Sequence, residues 1–299
     1  MLKAAPWGGE IASYFYFGGM SASAFVLARL AERFGAGSDS YRAVTRAGTK
    51  IAALAAVPCA PLLIKDIGDP TRFHHMLRVF KPQSPMNVGA WTLVGYSGVA
   101  AAALLREWRK GSSSEPPGGV VLAILDGIGI PLALLLAGYT GVLLSGTSTP
   151  VWSRSHWLGP LFSAGAMSTG ASAISLMLTA QDPTFANSSA GRALEKVKLA
   201  AHAAETVAMA GFVSEMGDFA TPLTKGKMSV PFLGAAAATI GAGVLSALPL
   251  KGRAGTVANL ACSMLSLVGG FAARWALLHA GATSAKSADA PRAASSNKA

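Results

Sequence analysis

Residues 65–91, KDIGDPTRFHHMLRVFKPQSPMNVGAW, hold six charged side chains, two histidines and three prolines between two long apolar runs. The runs decide the fold. Each is about 20 residues long, the length that crosses a bilayer core of ~30 Å as a helix. Similar runs recur along the 299-residue chain, which is 52% hydrophobic and only 13% charged; an ordinary soluble domain carries about 25% charged residues. In lipid the backbone must satisfy its own hydrogen bonds, so repeated apolar runs specify helices. The expected class is an all-α, polytopic membrane bundle.

Eight spans are expected, near 11–30, 47–64, 88–105, 120–144, 160–180, 195–216, 231–250 and 257–278. They form one bundle over 1–279, followed by a Ser-, Ala- and Lys-rich tail, 280–299, expected to be disordered. Small residues recur at helix-packing spacing in GGMSASAF (18–25) and STGASAIS (168–175). Lys3 precedes the first apolar stretch, but no A-x-A-like cleavage site follows, so that stretch is expected to remain as a helix.

The net charge of +11 does not point to nucleic acid, because the bases sit in short loops between apolar runs. There they set membrane orientation. Loops after spans 1, 3, 5 and 7 hold thirteen Lys and Arg; the N-terminus and the loops after spans 2, 4 and 6 hold eight. Both termini are therefore expected on the periplasmic side of a bacterial inner membrane. Cys59 and Cys262 lie in apolar runs and in no C-x-x-C pair, so they read as small buried core residues rather than cluster or zinc ligands.

In this orientation the opening stretch lies on the outer face and holds four of the eight bases on that side. Orientation alone does not explain them. Glu10 at the mouth of span 1, and Tyr139 and Ser145 near the outer end of span 4, fall on the same side, as do His156 and Trp157. With Asp66, Arg72 and His74 these groups are expected to line a cavity at the outer interface. A quinone suits it: an apolar body with carbonyl oxygens that need donors and hydroxyls that need proton acceptors, roles that Tyr, His and carboxylates fill. Plainer roles also exist. Glu10 can favour the helix macrodipole, Tyr139 can belong to an aromatic belt, His156 can be solvated, and Asp66 and Arg72 can pair within the loop. His74 and His75 point about 100° apart on a helix, so one is read as facing the ligand and the other as facing a partner.

A second group lies deeper. Asp126 is in span 4; His202 and Glu205 are in span 6, three residues apart and on one helical face. Ionisable groups inside a membrane are costly and usually functional. The three are read as part of a proton path between the cytoplasm and the outer-side quinone; the plainer reading is a satisfied interhelical hydrogen bond.

DIGDPTRFHHMLRVFKPQSPMNVGAW (66–91) resembles the D-L-G-R-P-x-R-F…F-x-P-x-SPMS-x-G-x-W signature of the NrfD/PsrC family, the membrane subunits of polysulfide-reductase-type and related molybdopterin oxidoreductases. YFYFGGMSASAF (14–25) resembles the family's first helix and LAGYTGVLLSGTSTPVW (136–152) its fourth. The resemblance implies a haem-free, eight-helix subunit that binds menaquinone or ubiquinone near the outer face. It implies docking there on a ferredoxin-like four-cluster iron–sulfur subunit, which leads to a molybdopterin catalytic subunit. The loop would then border the quinone pocket and turn His75, Arg78 and Lys81 towards that partner. By matching position, Asp66, Gly68, Pro70 and Arg72 take the loop motif, and Tyr139 the fourth-helix tyrosine. Asp69 stands where the family usually has Arg, and Ser23 where its first helix usually has Gly.

Two other classes compete. A di-haem cytochrome b anchor needs paired axial histidines, and only His202 lies well inside a span. A transporter or channel with no redox role would show broken helices with midplane polar sites; no inverted halves are evident.

Overall fold

The computed structural model describes residues 7–35, 37–68, 75, 77–110, 119–147, 149–153, 155–250 and 252–296. Among them the chain is all-helical. The elements are α1 (Gly9–Phe34), α2 (Asp39–Ala56), α3 (Cys59–Ile67), α4 (Pro85–Lys110), α5 (Gly119–Ile124), a π-helical turn (Leu125–Gly129) and α6 (Ile130–Ser145). There follow α7 (Pro150–Ser153), α8 (Leu158–Gln181), α9 (Ser189–Met216), α10 (Thr221–Thr224), α11 (Ser229–Ala247) and α12 (Gly252–Ser296).

Among the described residues seven helical segments are long and apolar enough to cross a membrane, against the eight spans expected. The remaining span falls in α9. Its 28 residues would reach about 42 Å at 1.5 Å per residue, so length is not the obstacle. Glu195, Lys196, Lys198 and Glu205 make it too polar. It nevertheless packs into the bundle against α8 and α11, with Lys198, His202 and Glu205 buried.

The first helix is the centre of the bundle and packs on α2, α6, α8 and α12. Its small residues let the neighbours approach closely, and its hydroxyls then reach their backbones. Ser21 donates to the Ala52 carbonyl at 2.5 Å and pairs with the Tyr96 hydroxyl at 2.8 Å. Ser23, the departure from the family's glycine, donates to the Ala166 carbonyl of α8 at 2.6 Å. The extra side chain is thus accommodated as a tie between two helices.

Proline breaks the second span. Pro58 lacks an N–H, so α2 stops and α3 restarts, and the two together make one span of 29 residues, Asp39–Ile67. Gly68 ends it. Its φ of 78° is left-handed, and its N–H bonds the Lys65 carbonyl at 3.2 Å. Glycine takes this conformation without strain, which explains its place in the loop motif.

The π turn has a similar local cause. Pro131 would clash with the carbonyl four residues back, at Gly127, and leave it unbonded in a regular α-helix. Widening Leu125–Gly129 to a π turn just before it relieves that conflict. At the other end of the chain, α12 continues to Ser296, past the Ala280 where an irregular tail is expected; its apolar span ends at Gly281.

Two bases counted among the loop charges are inside the bundle: Arg29 is 2% exposed and Lys198 is 0% exposed. Both have acidic partners in other positions of the fold, Asp126 for the first and Glu195 for the second.

Candidate functional site

At one end of the bundle the start of α1 meets the end of α3. Lys65 Nζ lies 3.0 Å from Glu10 Oε1. The Asp66 carboxylate accepts from the Gly8 N–H and sits close to Glu10. Two carboxylates and one ammonium therefore share a mouth that stays accessible: Lys65 is 72% and Glu10 32% exposed. Tryptophans border it. Trp275 lies against Gly9, and Trp7 stacks on Trp152 with ring centres 5.6 Å apart.

The start of α4 reaches the same end. The Tyr139 hydroxyl donates to the Pro85 carbonyl. One turn further on, a Cβ at Gly89 would overlap the Tyr139 ring. Pro85 and Gly89 are four residues apart and so share a helix face. This is the physical content of the S-P-M-x-x-G spacing: one position supplies an acceptor and the other supplies room for the phenol. Tyr14 and Cys59 are buried beside this contact.

Asn87 fastens the loop. Its side-chain oxygen accepts from the Lys81 N–H at 2.7 Å, and its amide donates to the Val79 carbonyl at 3.1 Å. In front of it lies a cavity of about 550 Å³ whose lining includes His75, Arg78, Lys81, Ser84 and Asn87. The structure thus brings together the three residues expected to face a partner. Asn87 is a site residue that sequence reasoning missed, since a single amide carries no periodic signal. Asn87→Ala leaves the Lys81 N–H and the Val79 carbonyl without their side-chain partner, at a cost of about 1–3 kcal/mol. Limited proteolysis should then cut the chain between α3 and α4 faster, with helix content unchanged.

Other expected site residues are placed elsewhere. The Ser145 hydroxyl donates to the Val142 carbonyl of its own helix at 2.8 Å and does not join Tyr139. His156 is exposed but held: its Nδ1 lies 2.8 Å from Glu215 Oε1, and its N–H and the Ser155 hydroxyl donate to Glu215 Oε2. Arg72 and His74, with Asp69 and Pro70, lie outside the described residues.

Asp126 belongs to a network at the opposite end of the bundle. It accepts from Arg29 Nε at 2.8 Å and from Arg33 at 3.2 Å. Glu32 pairs there with Arg29 and with Arg106, the latter at 2.6 Å. No described contact joins this network to His202 or Glu205.

Those two lie instead in a buried row on α9. Glu205 accepts from the Ser168 hydroxyl at 2.9 Å and faces Arg274. His202 Nδ1 is 4.0 Å from Glu205 Oε2, and its Nε2 is 3.3 Å from Ser266 Oγ. One turn back, Lys198 pairs with Glu195 at 2.6 Å and donates to Ser175 and Ser263. Positions 195, 198, 202 and 205 have the spacing of one helix face. Among the described residues no group of three or more His, Cys, Asp and Glu side chains is placed to hold a metal ion.

A helical bundle with membrane-length apolar segments, polar groups gathered at one mouth and a buried charged row defines a polytopic membrane protein. The chain belongs to the NrfD family: the family's sequence model, described as polysulphide reductase NrfD, matches residues 1–285. Members of the family are membrane subunits of oxidoreductases that interact with quinones. No curated protein matches the chain.

Proposed function

We propose that this chain is the quinone- or quinol-binding membrane subunit of a multi-subunit oxidoreductase in a bacterial inner membrane, with its Glu10 end at the periplasmic face. It passes electrons between the quinone pool and an iron–sulfur partner, and through that partner to a molybdopterin catalytic subunit. The observation that carries this reading is the meeting of Glu10, Lys65 and Asp66 at one accessible mouth, beside the loop that Tyr139 and Asn87 hold in place.

The donor set suits such a ligand. The quinone supplies two-electron redox chemistry coupled to two protons. Lys65 can donate to a carbonyl oxygen, and Glu10 and Asp66 can hold the protons that a hydroxyl gives up. Tyr139 acts by position, since its proton is committed to the Pro85 carbonyl. The cavity lined by His75, Arg78 and Lys81 presents cationic side chains and suits an acidic docking face on the iron–sulfur subunit. His202 and Glu205 carry protons within the bundle; Asp126, held by two arginines, sets the charge at the opposite end.

Binding of a fluorescent quinolone inhibitor to the purified chain tests the assignment. Saturable quenching is expected. Asp66→Asn and Glu10→Gln should each weaken it about 10–100-fold, the loss of one charge-assisted hydrogen bond. Saturable binding that neither substitution changes would move the quinone away from this mouth.

A further inference from the structure

The buried row on α9 meets a small cavity at its Glu195 end. A cavity of about 70 Å³ lies among α9, α11 and α12, lined in part by Glu195, Ser246 and Asn259. At about 30 Å³ per water it has room for one or two molecules. It is at the Asp126 end, where Ser189 at the start of α9 lies 3.2 Å from Ser40 at the start of α2. We propose that Glu195, Lys198, Cys262, His202 and Glu205 form a one-sided proton well that opens at this cavity and is closed towards Glu10 by Arg274.

Two polar connections lead inward from the cavity. Glu195 pairs with Lys198 at 2.6 Å, and Ser246 Oγ is 3.0 Å from Cys262 Sγ. They converge, because Cys262 also bonds Lys198 and lies 3.9 Å from His202 Nε2. The other ring nitrogen, His202 Nδ1, is buried without a hydrogen-bond partner and faces Glu205 Oε2 at 4.0 Å. That gap is too long for a hydrogen bond and too short to hold a bridging water. A swing of the Glu205 carboxylate by about 1 Å closes it. Glu205 is thus a two-position group, with Ser168 and Arg274 on one side and His202 on the other.

The far side is blocked. Arg274 is 3% exposed and donates to the carbonyls of Gly270 and Phe162. Its guanidinium sits 5.5 Å from the Phe162 ring centre and 5.9 Å from that of Tyr16. A fixed cation wedged between rings is an electrostatic barrier to a proton.

The transfer balances. His202, protonated at Nδ1, releases that proton to the Glu205 carboxylate and takes the Cys262 thiol proton at Nε2. The thiolate then takes one from the Lys198 ammonium, and Glu195, protonated from the cavity, restores the ammonium. One proton moves inward, and the imidazole ends neutral with its tautomer exchanged.

The well rests on the reading of His202 and Glu205 as proton carriers, and not on the quinone mouth. Its test uses the full chain in liposomes with an internal pH dye and an imposed potassium diffusion potential. Wild type should be as tight as protein-free liposomes. Arg274→Gln should pass protons faster by on the order of tenfold, and adding Lys198→Met should return the flux to wild type. No added flux, or flux that Lys198→Met leaves unchanged, overturns the well. A second arm leaves the row intact: in Cys59→Ala transferred to D2O, the Cys262 S–H infrared stretch should move to S–D within minutes, and a thiol that keeps its proton also overturns the well. Quinolone binding is measured separately, so failure of the quinone mouth and failure of the well are distinguishable.

Discussion

Glu205→Ala is expected to destabilise the bundle by about 3–5 kcal/mol, because it leaves a buried guanidinium without its counter-charge. Arg274 is held by backbone carbonyls and aromatic faces, none of which neutralises it. Thermal unfolding in detergent measures the effect. Glu205→Gln should lose less, since an amide still accepts from Ser168. The double replacement Glu205→Leu with Arg274→Met should recover most of the loss, because two apolar groups of similar volume strand nothing. A thermal transition unchanged in Glu205→Ala would show that the pair contributes nothing to the folded state.

Gly89→Ala is expected to cost about 1–3 kcal/mol, the range for forcing extra volume into a packed contact. The added methyl overlaps the Tyr139 ring, and the ring cannot retreat without losing the Pro85 carbonyl. The strain should appear as coupling. In a Tyr139→Leu background the same Gly89→Ala change should be nearly free, so the double-mutant cycle should give an interaction of about 1 kcal/mol or more. Additive costs would place the strain elsewhere. Gly89→Ala should also weaken quinolone binding, since the loop beside Asp66 moves with the start of α4.

The span pattern was legible because apolar run length is a local property of the chain. The loop motif was legible as residues but not as partners. Nothing in the spelling of Tyr139 says that its hydroxyl belongs to Pro85, a contact made across fifty-four positions. Charge counting failed where charges are inside. Arg29 and Lys198 read as loop bases, yet each is buried beside an acid, and burial of a charge depends on partners that a count does not see. Depth along the spans groups Asp126 with His202 and Glu205. Equal depth is not proximity: α1 supplies Arg29 and Arg33, and they claim the carboxylate. Span 6 is less apolar than the other seven for the same reason, since the polarity of α9 is turned inward as the buried row.

The π turn at Leu125–Gly129 has a bearing on how the fourth span can change. A π turn holds one residue more than an α turn. Asp126 lies within it and Tyr139 after it, so the turn sets the rotational phase between them, by about 100° for one residue. Deleting one residue here would set Pro131 back against a helix carbonyl, and it would turn either the acid from its arginines or the phenol from Pro85. The turn therefore works as a coupling between the two ends of the protein, fixing which faces of one helix each end is shown.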